Sequence, residues 1–172
     1  MDRKASFAPV VSSGTRLLLL GSLPGEASLR ADRYYAHPQN QFWRLVGAVI
    51  GREDLHRRDY PDRLALLGAA GVGLWDVVAD AVRPGSLDGA IRDHRPNDLA
   101  ALAASLPELR AIGFNGATAA RIGRRMLAPC PVPAMIDLPS SSPAYTLAYA
   151  EKLRRWEILS IFVHPMDISD AN

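Results

Sequence analysis

Sulfur chemistry has almost no foothold in this chain. Cys130 is the one cysteine among 172 residues, which excludes an intramolecular disulfide framework and a thiolate-rich zinc or iron–sulfur centre. No apolar run is long enough to span a bilayer, and the polar start MDRKASFAP is not a signal peptide. The turn GSLPG is followed by no Gly-Lys-Ser/Thr and does not fit G-x-G-x-x-G, so neither phosphate-loop pattern applies. Three consecutive serines sit outside any G-x-S-x-G elbow, and His37, His56, His94 and His164 show no triad spacing, which sets a serine hydrolase aside. Internal repeats, linkers and low-complexity segments are also missing. These absences lead to an expected soluble, cytoplasmic, monomeric protein without metal or organic cofactor.

The residues present describe a folded domain. Hydrophobic residues make up 48% and charged residues 22%, a globular composition in which the chain length suits one domain over residues 1–172, with its core at about 16–163. Net charge is only +2, yet arginines cluster in GREDLHRRDY, ARIGRRM and EKLRRWE. Such clusters suit a polyanion, and solvated helix faces have the same composition.

Four apolar segments read as buried strands: Arg16 to Gly21, Gly71 to Val78, Leu109 to Gly116 and Val132 to Pro139. Helical patterns lie between them. Phe42, Leu45, Val46, Val49 and Ile50 form one stripe of a helix ending at Gly51. PDRLALLGAAG carries Pro61 in its first turn, and PNDLAALAASLP starts at Pro96 and stops at Pro107. GATAARIGRRMLA follows the third strand. A last helix is expected from about Pro143 to Phe162, burying Leu147, Leu153, Trp156, Leu159 and Ile161. Ala79 to Arg95 reads as the longest irregular loop. Alternating strands and helices predict an α/β fold, a three-layer α/β/α sandwich around a central, mainly parallel four-stranded sheet.

In such sheets, sites gather at the carboxyl ends of the strands. The segments there are GSLPGEAS, DVVADAVRPGS, NGATA and PSSSPAYT, all rich in Gly, Ser, Asn or Asp. Each has a bland reading. GSLPG suits a tight turn, PSSSPAYT a helix start whose serines cap free amides, Tyr34 and Tyr35 core aromatics, and Asn40 the cap of the helix that follows it. Helix-start amides also hold anions. Asp76 is harder to dismiss, because a carboxylate ending an apolar strand is costly to bury without a partner.

Taken together, the pieces resemble the uracil-DNA glycosylase superfamily, and within it the hypoxanthine-DNA (deoxyinosine) glycosylase family. The first motif is carried by Gly21, Ser22, Pro24, Gly25, Ser28, Tyr34, Tyr35, Pro38, Asn40, Phe42 and Trp43, and similar matches follow in GLWDVV, SLDGAIRDHRPNDL, GFNG and LPSSSPAYT. The resemblance implies a monofunctional enzyme that flips a deaminated base out of DNA and hydrolyses its N-glycosidic bond, with hypoxanthine the first substrate and uracil the second. It implies Asn40 as the main catalytic amide, with Ser22 beside it where mismatch-directed relatives carry a water-handling Asn. Tyr35 and Asp76 would hold the base face and its Watson–Crick edge, with Leu23 and Phe42 of the first motif at their side. Asn115, Gly116, Ser140, Ser141 and Ser142 would clamp flanking phosphates, and Pro143, Ala144 or Tyr145 would enter the gap left by the flipped nucleotide. No lysine occurs in the first or last motif, so no Schiff-base lyase step is expected. Two rivals remain: a lesion binder that does not cleave, and a nucleotide-binding α/β module without a DNA partner.

Overall fold

The computed structural model describes residues 2–131 and 134–164. Val132 and Pro133, expected to start the fourth strand, lie outside the described residues. In chain order the strands are β1 (Arg3–Ala5), β2 (Leu17–Gly21), β3 (Val72–Asp76), β4 (Val78–Val82), β5 (Arg92–Pro96), β6 (Ala111–Asn115) and β7 (Met135–Leu138). The α-helices are α1 (Glu26–Ala31), α2 (Phe42–Val49), α3 (Tyr60–Ala70), α4 (Leu99–Ala104), α5 (Ala117–Leu127) and α6 (Tyr149–Trp156).

The central sheet has the order β3-β2-β6-β7, with every neighbouring pair parallel. Strand β2 lies in its middle. Because side chains alternate along a strand, Leu17 and Leu19 pack with α2, α3 and Trp156 on one face, while Leu18 and Leu20 pack with α4 and α5 on the other. All four leucines are fully buried, each stabilising the fold by about 1.5–3 kcal/mol. That double burial is why the strand reads LLLL without alternation. The three-layer α/β arrangement therefore stands as the sequence predicts.

The register places Gly21 beside Asp76. A Cβ on Gly21 would lie 2.7 Å from the Asp76 Oδ1 and 2.8 Å from the Tyr35 hydroxyl. Glycine is required there by close approach rather than by turn geometry.

The stretch expected to be a long loop is instead a second sheet. The predicted strand from Gly71 to Val78 divides at Val77, and β4 leaves the central sheet to pair antiparallel with β1 and β5 in the order β1-β4-β5. β5 is wholly exposed and reads RDHRP, with no apolar periodicity to announce it. Pairing across the ladder and an ion-pair group joining Arg3 and Arg95 to Asp80, and Arg3 to Asp93, hold it in place.

Two helix boundaries also differ from expectation. Pro96 ends β5, and α4 begins after Asp98, whose side chain accepts the Ala101 N–H at 3.0 Å. The last helix starts at Tyr149, not near Pro143, and a 3-10 segment, Glu157–Phe162, follows it. The tighter winding rotates the side chains, so Leu159 stays buried while Ile161 is 76% exposed rather than in the core.

Candidate active site at the strand ends

The carboxyl ends of β2, β3, β6 and β7 border one cavity of about 930 Å³, a volume typical of small-molecule sites. Ser22 and Leu23 enter it from the turn after β2, Tyr35 and Asn40 from the connection to α2, and Asp76 from the end of β3. Asn115, Gly116 and the segment Ser140–Ala144 complete the rim from β6 and β7. Phe42 is the exception: it is fully buried and lies beneath the cavity, not on its surface. Its ring stacks under Tyr35 at 3.8 Å between centroids and 15° between planes. Phe42 therefore backs the Tyr35 ring and does not itself face a ligand.

Tyr35 is held in a conformation few side chains adopt, with φ at +52°. Its hydroxyl is buried without a hydrogen-bond partner among the described residues. Burial, and then the nearby Asp76, push its ionisation well above the ordinary phenol range, so the ring stays neutral. Tyr34 next to it is a core residue, with its hydroxyl donating to the Ala8 carbonyl at 3.1 Å.

Asn40 is fixed by three neighbours in series. Its Oδ1 accepts the Phe42 backbone N–H at 3.0 Å and the Ser141 hydroxyl at 2.8 Å. A backbone N–H can only donate, so that atom is the amide oxygen, and the Nδ2 donors are the end left without a partner among the described residues. The expected capping role is thus real and simultaneously aims the amide. Ser141 is oriented in turn by Asn115, whose Nδ2 donates to the Ser141 Oγ and whose Oδ1 accepts the Ser141 N–H, both at 2.9 Å.

That chain of contacts changes the expectation for the phosphate clamp. The Asn115 amide and the buried Ser141 side chain are committed to each other and to Asn40. The Gly116 N–H is also engaged, by the Phe114 and Leu138 carbonyls. Ser140 and Ser142 do not cap a helix; their hydroxyls accept the N–H groups of Ser142 and Ala144 within a turn. The helix start facing the cavity is that of α5, where Ala117 and Thr118 line the wall. Pro143 and Ala144 are exposed at the rim, with Tyr145 beside them.

Asp76 is only 3% exposed, and its Oδ2 has no partner among the described residues. Burial first, then the charge of Asp88, push its carboxyl up to about 7, with Arg83 opposing. Asp88 comes from the tip of the β4–β5 hairpin and was not singled out from the sequence. Its Oδ1 accepts the Ser22 hydroxyl at 2.5 Å. Burial raises its carboxyl as well, against the pull of Ser22, Arg83 and Arg121. The buried Arg83 anchors this tip by donating to the Leu23, Pro24 and Gly85 carbonyls. The stretch SLDGAIRDHRPNDL that contains it matched as a motif, but no local pattern tied Asp88 to Ser22.

Comparison with known proteins covers nearly the whole arrangement. The family described as the Uracil DNA glycosylase superfamily matches residues 8–163. A protein from Methanosarcina barkeri (strain Fusaro / DSM 804) named hypoxanthine DNA glycosylase is 44% identical over 114 residues, 66% of this chain and 72% of that relative. One of the same name from Methanosarcina acetivorans is 44% identical over 113 residues, 66% and 71% of the two chains. The solution NMR structure of a candidate uracil DNA glycosylase from Methanosarcina acetivorans superposes with a TM-score of 0.82 at 37% identity, spanning 92% of this chain and 97% of the other.

Proposed function

Because the chain belongs to the uracil DNA glycosylase superfamily, we propose that it is a monofunctional DNA glycosylase that removes hypoxanthine from deoxyinosine, with uracil as a second substrate. The relatives named hypoxanthine DNA glycosylase support that order of substrates. One observation carries the reading: a buried carboxylate oxygen on Asp76, without a partner among the described residues, borders the same cavity as the Phe42-backed ring of Tyr35 and the N–H end of Asn40.

In this reading the flipped base lies against Tyr35, and the Asp76 Oδ2 accepts its ring N–H. Hypoxanthine offers a hydrogen at N1, whereas adenine presents a lone pair there, so an ionised Asp76 distinguishes the deaminated purine from its parent. Asn40 directs its N–H donors at the attacking water or the sugar. Ser22 lies beside the same sugar. As C1′–N9 lengthens, charge separates, and fixed dipoles in a closed site stabilise that separation better than mobile water does. Flanking phosphates meet the hydroxyl hydrogens of Ser140 and Ser142, whose oxygens already accept backbone N–H groups, and the first turn of α5, since Asn115 and Ser141 are already engaged. Neither lysine is ready for a Schiff-base step: Lys152 is buried and donates to the Ser142 carbonyl at 3.2 Å, and Lys4 pairs with Glu26.

The test is incubation with a duplex containing one inosine, followed by alkali, in parallel with uracil, xanthine and thymine lesions. Alkali-dependent breaks at inosine are expected, and borohydride should trap no protein–DNA crosslink. Intact but retarded DNA would make the protein a lesion binder instead.

A further inference from the structure

Asn40 leaves one requirement of hydrolysis unmet. Its oxygen is saturated by Phe42 and Ser141, so it presents donors only and cannot take a proton from water. His37 also lines the cavity, but its Nδ1 already accepts the Gln39 backbone N–H at 3.1 Å. Among the described residues, four carboxylates border the cavity: Glu26, Asp76, Asp88 and Asp137. Glu26 is ion-paired with Lys4 at 2.9 Å and Asp137 with Arg124 at 2.9 Å, and both side chains are solvent-exposed. Asp76 is engaged by the base edge in the reading above. Asp88 remains.

We propose that Asp88 is the proton acceptor for the water that attacks C1′, held in place by the hydroxyl of Ser22. The inference rests on the glycosylase reading and adds to it a residue from outside the central sheet. Ser22 uses its hydrogen on the Asp88 Oδ1, while the Asp88 Oδ2 has no hydrogen-bond partner among the described residues. The hairpin tip that carries Asp88 is built against the turn after β2: Arg83 binds the Leu23 and Pro24 carbonyls, the Glu26 N–H donates to the Ser86 hydroxyl, and Lys4 binds the Gly85 carbonyl. Such anchoring fixes a carboxylate that would otherwise sample solvent. Ser22, Arg83, Arg121 and Asp76 are the polar and charged groups that act on it.

The step balances. The C1′–N9 bond breaks with its electron pair on the base, the water oxygen bonds to C1′, and the water proton passes to Asp88. The departing purine anion then recovers a proton through solvent, and Asp88 returns to its ionised form. A hydroxyl at the position of Ser22 therefore needs no basicity of its own, because its partner supplies it.

Single-turnover excision of hypoxanthine from an inosine duplex by the wild type and by Asp88→Asn, Asp88→Ala and Asn40→Ala tests the assignment. Asp88→Asn keeps an acceptor for Ser22 and removes the base, so excision should fall by about 10²-fold or more with duplex affinity unchanged. Added formate should restore part of the Asp88→Ala rate and none of the Asn40→Ala rate. Near-normal excision by Asp88→Asn, or an Asp88→Ala loss that formate does not relieve, would overturn the proposal while leaving the glycosylase reading intact. A wild type that excises no base would overturn both.

Discussion

Two carboxylates reach the same cavity from two unlike pieces of structure. Asp76 ends β3, a strand of the central sheet whose residues are buried or half-buried. Asp88 sits at the tip of the β4–β5 hairpin, whose second strand is wholly exposed and charged. The sheet fixes Asp76 by burial, and burial raises its ionisation to about 7. The hairpin fixes Asp88 by hydrogen bonds from Ser22 and by the Arg83 anchor. Burial raises both carboxyls, but the hairpin in addition brings Asp88 a hydroxyl partner for one of its oxygens.

The comparison is sharpened most by the residue that neither element carries. Asn40→Ala should lower inosine excision by about 10³-fold, comparable with removal of an oxyanion-type donor, with the fold and the Asn115–Ser141 contacts retained. Single-turnover kinetics measure it, and a loss much smaller than that of Asp88→Asn would shift the water-holding role to the hairpin.

Next in size is Arg83→Met, which removes a buried guanidinium from three carbonyls. Stability should fall by about 2–4 kcal/mol. Hydrogen exchange should accelerate over residues 83–91 while β2 and β6 remain protected. Uniform loss of protection would mean that the two regions are one cooperative unit.

Asp76→Asn is the smallest and the most specific. The folded carboxyl of Asp76 holds its proton from its ordinary value of 3.8 up to about 7. The native state therefore binds more protons than the unfolded chain across that window, and stability declines as pH rises through it. The variant escapes this penalty. It should match the wild type near pH 4 and be the more stable of the two at pH 8, as denaturant titration at the two values would reveal. The amide also brings an N–H donor to the base edge, so the preference for hypoxanthine over adenine should narrow in the excision assay. An unchanged pH dependence would mean that Asp76 is already paired in solution.

Legibility in the sequence followed the same division. The LLLLG run, the helix stripe from Phe42 to Ile50 and the polar ends of four strands announced the central sheet and the side of it where Ser22, Tyr35, Asn40 and Asp76 meet. Phe42 was misplaced because periodicity shows that an aromatic is buried without showing whether it faces a cavity or supports what does. Asn115 and Ser141 lie at the expected rim, yet their hydrogen-bonding groups turn inward to each other and to Asn40. The hairpin was taken for a loop because RDHRP has no apolar face, and its strand character comes from a ladder and charge partners distant along the chain.

The amino-acid sequence by itself determined the layered sheet, the double burial of β2 and the glycine-rich strand ends, because hydrophobic burial and turn chemistry act through residues near one another in the chain. Only the tertiary structure decided which end of the Asn40 amide faces the cavity and that a carboxylate stands behind Ser22. Those outcomes rest on hydrogen bonds spanning 101 residues from Asn40 to Ser141 and 66 from Ser22 to Asp88. A directional contact between such distant groups leaves no periodic trace in composition; it exists once the chain has folded and desolvated both partners.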